Sequence, residues 1–140
     1  MLSLIGMEWK KCAWEDIAEL EKVAKSTKNT VKNSKNTVWW GLFDNDKPVG
    51  CIGLYLMSNA RGRIKSIYIK PEYRYKGYGN EASDIVEYFA FDILNLTSLS
   101  AITRHNTYWM WRGYTTTNKR ETSKGNKYVM QITKENYEKH

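Results

Sequence analysis

The middle of the chain alternates short apolar runs with turn residues. Residues 38–43 are apolar and β-prone, Asp44-Asn45-Asp46-Lys47-Pro48 reads as a turn, and residues 49–57 form the next strand, which predicts a hairpin. Ser58-Asn59-Ala60-Arg61-Gly62 makes a second turn. Residues 63–69 then set Arg63 and Lys65 against Ile64, with Ile67 and Ile69 expected to face inward, and Pro71 ends that strand. Two stretches repeat at helical spacing instead: 14–25, with Ile17, Leu20, Val23 and Ala24, and 78–94, with Ala82, Ile85, Val86, Phe89 and Ile93.

The flanks read less sharply. Residues 2–11 suit a first strand of poor alternation, and 25–37 suit a polar loop or short irregular helix. Residues 99–103, 114–118 and 127–133 read as strands, 106–112 as a short helix and 119–125 as a polar loop. The order β-α-β-β-β-α-β-α-β-β describes an α/β domain with a mixed sheet. At 140 residues, 1–140 is read as one domain with a single core.

The longest apolar run, 49–57, is far short of the roughly 20 residues a membrane helix needs. Residues 1–6 lack the charged and apolar regions of a signal peptide. Cys12 and Cys51, without CxxC spacing, read as reduced thiols in a cytoplasmic protein. No His/Cys/Asp cluster has metal spacing, so no metal is expected, and neither GxSxG nor a P-loop is present.

The formal charge of +7 is uneven. Residues 61–76 hold six Lys or Arg against Glu72, and 103–127 hold six against Glu121. Such density attracts phosphate, in a nucleotide cofactor or a polynucleotide, and equally describes a solvated basic surface.

The chemistry concentrates where the third apolar strand runs into the second long helix. Arg74-Tyr75-Lys76-Gly77-Tyr78-Gly79 places two glycines one residue apart at a helix start. Without a Cβ the backbone admits an incoming group closely, and the first-turn N–H groups and helix dipole favour an anion. A pyrophosphate suits that place, with Arg74 and Lys76 adding charge. The glycines do not fit a dinucleotide fingerprint, since position 82 is Ala82 and no βαβ unit surrounds them.

Ile69-Lys70-Pro71 followed by Arg74-x-x-Gly77-x-Gly79 and an amphipathic helix resembles the GNAT superfamily of acyl-CoA N-acyltransferases. The resemblance extends to element order over nearly the full chain and to a closing Gly113-Tyr114. It implies a mostly antiparallel mixed sheet, splayed at its centre with helices on both faces. It implies acetyl-CoA as cosubstrate, its pyrophosphate held by the amides of Tyr75, Lys76, Gly77, Tyr78, Gly79 and Asn80. The pantetheine arm would lie along the strand Ile67-Tyr68-Ile69 like an extra strand, in the gap where the sheet opens.

Acyl transfer to an amine needs a neutral nucleophile, a polarised carbonyl and a proton donor for the departing thiolate. The resemblance puts the donor, a Tyr, four residues before the closing Gly, where this chain has Trp109. Tyr108 is therefore the candidate donor, its alternative being a packed aromatic beside Trp109 and Trp111. Asn106 corresponds to an Asn that relatives carry in this helix. The central-strand Glu of many relatives is missing, and His105 is the candidate for proton handling at neutral pH.

The acceptor should lie against a rim carrying Lys25, Lys28, Lys32, Lys35, Lys119, Arg120, Lys124 and Lys127, which disfavours a polyamine. Three readings stay open: an N-acetyltransferase for a primary amine of a small molecule or protein, an enzyme acting on nucleic acid (aminoacyl-tRNA or a DNA base), and a CoA-binding module without turnover. Exposed aromatics also leave a homodimer open.

Overall fold

The structure is a computed structural model that describes residues 6–140. The described residues form seven strands and four α-helices: β1 (Met7–Cys12), α1 (Leu20–Ser26), β2 (Thr37–Asp44), β3 (Lys47–Met57), β4 (Arg61–Ile69), α2 (Tyr78–Tyr88), β5 (Ser98–Thr103), α3 (Asn106–Trp111), β6 (Thr115–Thr122), β7 (Gly125–Thr133) and α4 (Lys134–Lys139). The strand order is β1-β2-β3-β4-β5-β7-β6. Antiparallel pairing dominates; β4 with β5 is parallel. Two compact units are distinguished, described residues 6–55 with 65–86, and residues 56–64 with 87–140, so β4 and α2 each contribute to both.

In the first unit β3 is buried from Pro48 to Leu54, where it is covered on both faces, and Val49, Cys51, Ile52 and Leu54 are all buried. One cluster joins Cys51 and Tyr68 to Ile17, Leu20 and Ala24 from the α1 segment, with Val31, Trp39 and Phe43. The other joins Leu42, Val49 and Ile69, with Met7, Trp9, Tyr73 and Tyr78 at its margin. A register shift at Leu42/Phe43 makes Val49 the inserted residue of a bulge, and its carbonyl accepts the Lys70 N–H at 2.9 Å. That bond ties the end of β4 to β3 where the glycine loop begins.

The expected helix 14–25 is instead a 3₁₀ turn, Trp14–Asp16, followed by α1. The Asp16 carboxylate accepts the Ala13 N–H at 3.0 Å, and Ile17, at φ −125, leaves the helical region. The burial of Ile17, Leu20 and Ala24 survives the break. Of the first strand expected at 2–11, residues 2–5 lie outside the described residues. In β4 the expected inward position of Ile67 is half-buried and Tyr68 is buried instead. Ser66, at φ 55, breaks the strand's alternation just before them.

In the second unit β5 lies between residues 61–64 of β4 and β7, and β6 completes a hairpin with β7. Leu99, Ala101, Met130, Ile132, Phe91 and Trp109 are buried. The helix expected to reach residue 94 closes with a π turn, Phe89–Ile93. One extra residue per turn rotates the buried face, so Ala90 and Phe91 go inside while Ile93, expected to be apolar-facing, is exposed. The polar loop expected at 119–125 is a continuation of β6 to Thr122, its turn closed by Thr122 Oγ1 donating to Gly125 O at 2.7 Å. The helix α4 was not anticipated; Thr133 caps it by accepting the Asn136 N–H.

Candidate functional site

The glycine loop is built from β4 outward within the first unit. Pro71 opens a 3₁₀ turn, Pro71–Tyr73, in which Tyr73 N–H bonds Lys70 O at 2.9 Å and Arg74 N–H bonds Pro71 O at 3.2 Å. The Tyr73 hydroxyl donates to Asp44 Oδ2 at 2.7 Å, anchoring the turn to the end of β2. That bond to a carboxylate holds the phenol's pKa above its ordinary value. Arg74 folds back: its Nε donates to Ile69 O at 2.7 Å and its guanidinium sits 5.6 Å from the Tyr68 ring centroid.

The loop then takes two left-handed residues, Tyr75 at φ 62 and Gly77 at φ 87, before entering α2. Glu81 N–H closes the first helical turn on Gly77 O at 3.1 Å, and the amides of Tyr78 and Gly79 precede it. A Cβ placed on Gly77 or Gly79 would meet no heavy atom within 4 Å, so the space over this turn is open. Lys76 and the Tyr75 side chain are exposed. Open backbone at a helix start, with the dipole's positive end and a lysine beside it, suits a phosphate oxyanion.

Two features of β4 escaped the sequence pattern. Ser66 holds a positive φ inside a strand, and its carbonyl accepts from Cys51 Sγ at 3.4 Å. A left-handed serine costs on the order of 1–3 kcal/mol, which the surrounding packing must offset. Two residues on, the buried Tyr68 hydroxyl has no hydrogen-bond partner among the described residues. Just before Ser66, Lys65 Nζ donates to Ser34 Oγ at 2.8 Å, and Ser34 Oγ lies 2.8 Å from Thr37 Oγ1. The ammonium stands 5.9 Å from the Tyr55 ring, and burial, then Lys32, lower its pKa.

The remaining candidates lie in the second unit, at α3. His105 is the exposed residue before the helix, its N–H bonded to Thr103 Oγ1 at 2.9 Å, and Asn106 is the first helical residue. Tyr108 is half-buried, edge-on to Trp109 with ring centroids 5.0 Å apart. The Arg112 guanidinium lies 5.9 Å from the Tyr108 ring centroid.

Beneath them is a network no local motif signals. Arg112 grips Glu87 with Nε to Oε2 at 3.2 Å and an Nη2 to Oε1 at 2.7 Å. The buried Tyr114 hydroxyl donates to Glu87 Oε2 at 2.7 Å. Burial first, then the neighbouring Glu87 charge, push the Tyr114 phenol well above its ordinary pKa.

Of the basic rim, Lys25, Lys28, Lys32 and Lys35 are exposed in the first unit, and Lys119, Arg120, Lys124 and Lys127 are exposed in the second. A pocket in the first unit is lined by Lys25 and Lys32 together with Glu21. Among the described residues no group of three or more His, Cys, Asp or Glu side chains comes together, and no helix is long and apolar enough to cross a membrane.

Comparison with known proteins adds two findings. Residues 5–114 match the family model described as Acetyltransferase (GNAT) family. No curated protein matches the sequence. Among solved structures, a mutant of the spermidine N-acetyltransferase SpeG from Vibrio cholerae is 11% identical with TM-score 0.76, covering 95% of this chain and 96% of that one. The dodecameric form of the Vibrio cholerae enzyme gives TM-score 0.72 at 11% identity over 95% and 96%. A Klebsiella pneumoniae protein proposed to be an acyl-CoA N-acyltransferase gives TM-score 0.64 at 17% identity over 91% and 97%. At these identities the likeness is one of fold.

Proposed function

The chain belongs to the acetyltransferase (GNAT) family, and from that premise we propose that residues 67–80 hold acetyl-CoA for transfer of its acetyl group to the primary amine of a small molecule. The observation that carries the assignment is the open turn over Gly77 and Gly79, where a side chain would occupy the space a pyrophosphate needs. The amides of Tyr75 through Asn80, with Lys76, hold the phosphates. Arg74, bonded through Nε to Ile69 O, acts first as the brace that fixes the loop to β4.

The backbone of Ile67 and Ile69, with Tyr68 between them, pairs with the pantetheine arm, next to the left-handed Ser66. When bound, acetyl-CoA supplies the activated carbonyl. The acceptor nitrogen bonds that carbonyl carbon as the C–S bond breaks. Tyr108 gives its proton to the departing sulfur and recovers one from the acceptor nitrogen, directly or through solvent. His105 is the candidate for carrying that proton away, and Asn106 for holding the arm near its thioester end. Spermidine acceptance by the SpeG neighbours supports a small amine over a nucleic acid. The two free thiols, Cys12 and Cys51, support a reducing, cytoplasmic setting.

The test is thermal unfolding with millimolar acetyl-CoA. A ligand at 100 times its Kd adds about 2.7 kcal/mol, a readily measured rise in Tm. Gly79→Glu points a carboxylate into the phosphate space and should abolish that rise while the apo protein unfolds cooperatively. A folded Gly79→Glu protein that keeps the full rise would rule out the loop as the cofactor site.

A further inference from the structure

The side of β4 that carries Lys65 meets a lysine-rich loop after α1. Residues 25–37 hold Lys25, Lys28, Lys32 and Lys35 and no acid. Lys65 joins them from the strand, fixed by Ser34 at 2.8 Å and laid over Tyr55. Among the described residues no carboxylate contacts the Lys65 ammonium, and the charge that acts on it is Lys32, of the same sign. Glu21 borders Lys32 through the neighbouring pocket. A partly buried lysine normally shows a carboxylate partner, because taking the charge from water is unfavourable without one. Here a serine and an aromatic face take that place. Ser34 uses one of three ammonium donors and in turn meets Thr37, so the head is held in a defined position.

The location matters as much as the charge. Resting on the reading above, the phosphates lie beyond residue 74 and the pantetheine arm runs back along Ile69 and Ile67. The thioester end therefore arrives at Ser66, whose φ is 55. Lys65 is the next residue, about 3.3 Å further along the strand. A cation so placed meets whatever the acceptor amine is attached to.

We infer that the acceptor is an amine that also carries an oxyanion, a carboxylate or a phosphate, and that Lys65 with Lys32 binds this group and so orients the amine. A polycationic acceptor is repelled at the same point. This separates the chain's acceptor class from that named for its SpeG neighbours, on a fold they share.

The experiment uses four probes: 4-aminobutyrate (carboxylate), phosphoethanolamine (phosphate), 1-aminobutane (neutral) and spermidine (cation). Thiol release is followed at saturating acetyl-CoA for the wild type, Lys65→Met and Lys65→Glu. One charge-assisted contact is worth about ten- to hundredfold in kcat/KM. At least one anionic amine should exceed 1-aminobutane by that factor, and the better of the two identifies carboxylate or phosphate. Lys65→Met should remove the preference through KM, with kcat nearly kept, and Lys65→Glu should raise spermidine above both anions. Equal or better turnover of 1-aminobutane or spermidine by the wild type overturns the inference, as does an unchanged ranking in Lys65→Met. Calorimetry of the two anionic amines on the protein without acetyl-CoA separates the two readings. If acetyl-CoA fails to bind, the cofactor reading falls, yet anion binding by the wild type that Lys65→Met weakens tenfold still supports the cationic site. Absence of such binding overturns the site whatever acetyl-CoA does.

Discussion

Replacing Arg112 by Met tests the network beneath α3. Both partners of the ion pair are deeply buried, each side chain about 7% exposed, and Glu87 receives two bonds from Arg112 and one from Tyr114. Removing the arginine leaves a buried carboxylate facing a single phenol. Breaking a buried pair from one side costs about 3–5 kcal/mol, since the remaining charge is unpaired. For a chain of this size that corresponds to roughly a 10–15 °C fall in Tm.

Urea unfolding followed by both tryptophan fluorescence and circular dichroism measures the loss, with coincident transitions required for a two-state treatment. The companion Arg112→Met/Glu87→Met should regain most of it, because apolar residues of similar volume replace such pairs at little cost. A loss below about 1 kcal/mol in Arg112→Met would refute the reasoning: the pair would then be behaving as a solvent-screened surface pair. The result also bears on activity. Arg112 lies against the Tyr108 ring, so the single substitution should lower kcat beyond what the unfolded fraction explains.

Two further outcomes are expected. Tyr108→Phe keeps the ring contacts with Trp109 and Trp111 but removes the hydroxyl; kcat should fall about 10²- to 10⁴-fold with the acetyl-CoA stabilisation unchanged, and a rate within threefold of wild type excludes Tyr108 as proton donor. Stability should decline in alkali: burial pushes the Cys51 thiol from 9.0 up to about 12, and burial pushes Cys12 up to about 11. Their folded pKa values exceed the unfolded ones, so the folded state holds its protons more tightly. Their contribution is intact below pH 9 and is lost as pH rises from there towards 12. Cys51→Ala should flatten the fall in unfolding free energy between pH 9 and 12, and an unchanged slope would contradict the burial of that thiol.

What could be read from the residues alone follows from which interactions are local. The run from Val49 to Leu54 announces a strand buried on both faces, and β2, β3 and β4 were recovered because apolar residues mark them. β6 was read only over its first part, 114–118: Thr-Thr-Thr-Asn-Lys-Arg-Glu is exposed at each position, and pairing with β7 carries the strand on to Thr122. The glycine loop was legible because a left-handed turn and a helix start leave their requirements in adjacent residues. Ser66 was not, since serine gives no sign of a positive φ.

Glu87, Arg112 and Tyr114 illustrate a different obstacle. Glu87 stands 25 and 27 positions from its partners, and on a helical pattern it reads as an ordinary solvent-facing acid. The return of the chain through α3, which brings Arg112 and Tyr114 to it, makes it a buried hub. Lys65 reverses the lesson. In the alternation of β4 it is an outward lysine, and charge counting merges it with a general basic surface. The arrival of Ser34 from the loop after α1 holds its ammonium by a hydrogen bond. Charge density along the chain left an anionic ligand and a solvated basic surface both open; on the proposals above it serves two ligand groups, a phosphate at the open turn over Gly77 and Gly79 and, at Lys65, the group that accompanies the amine.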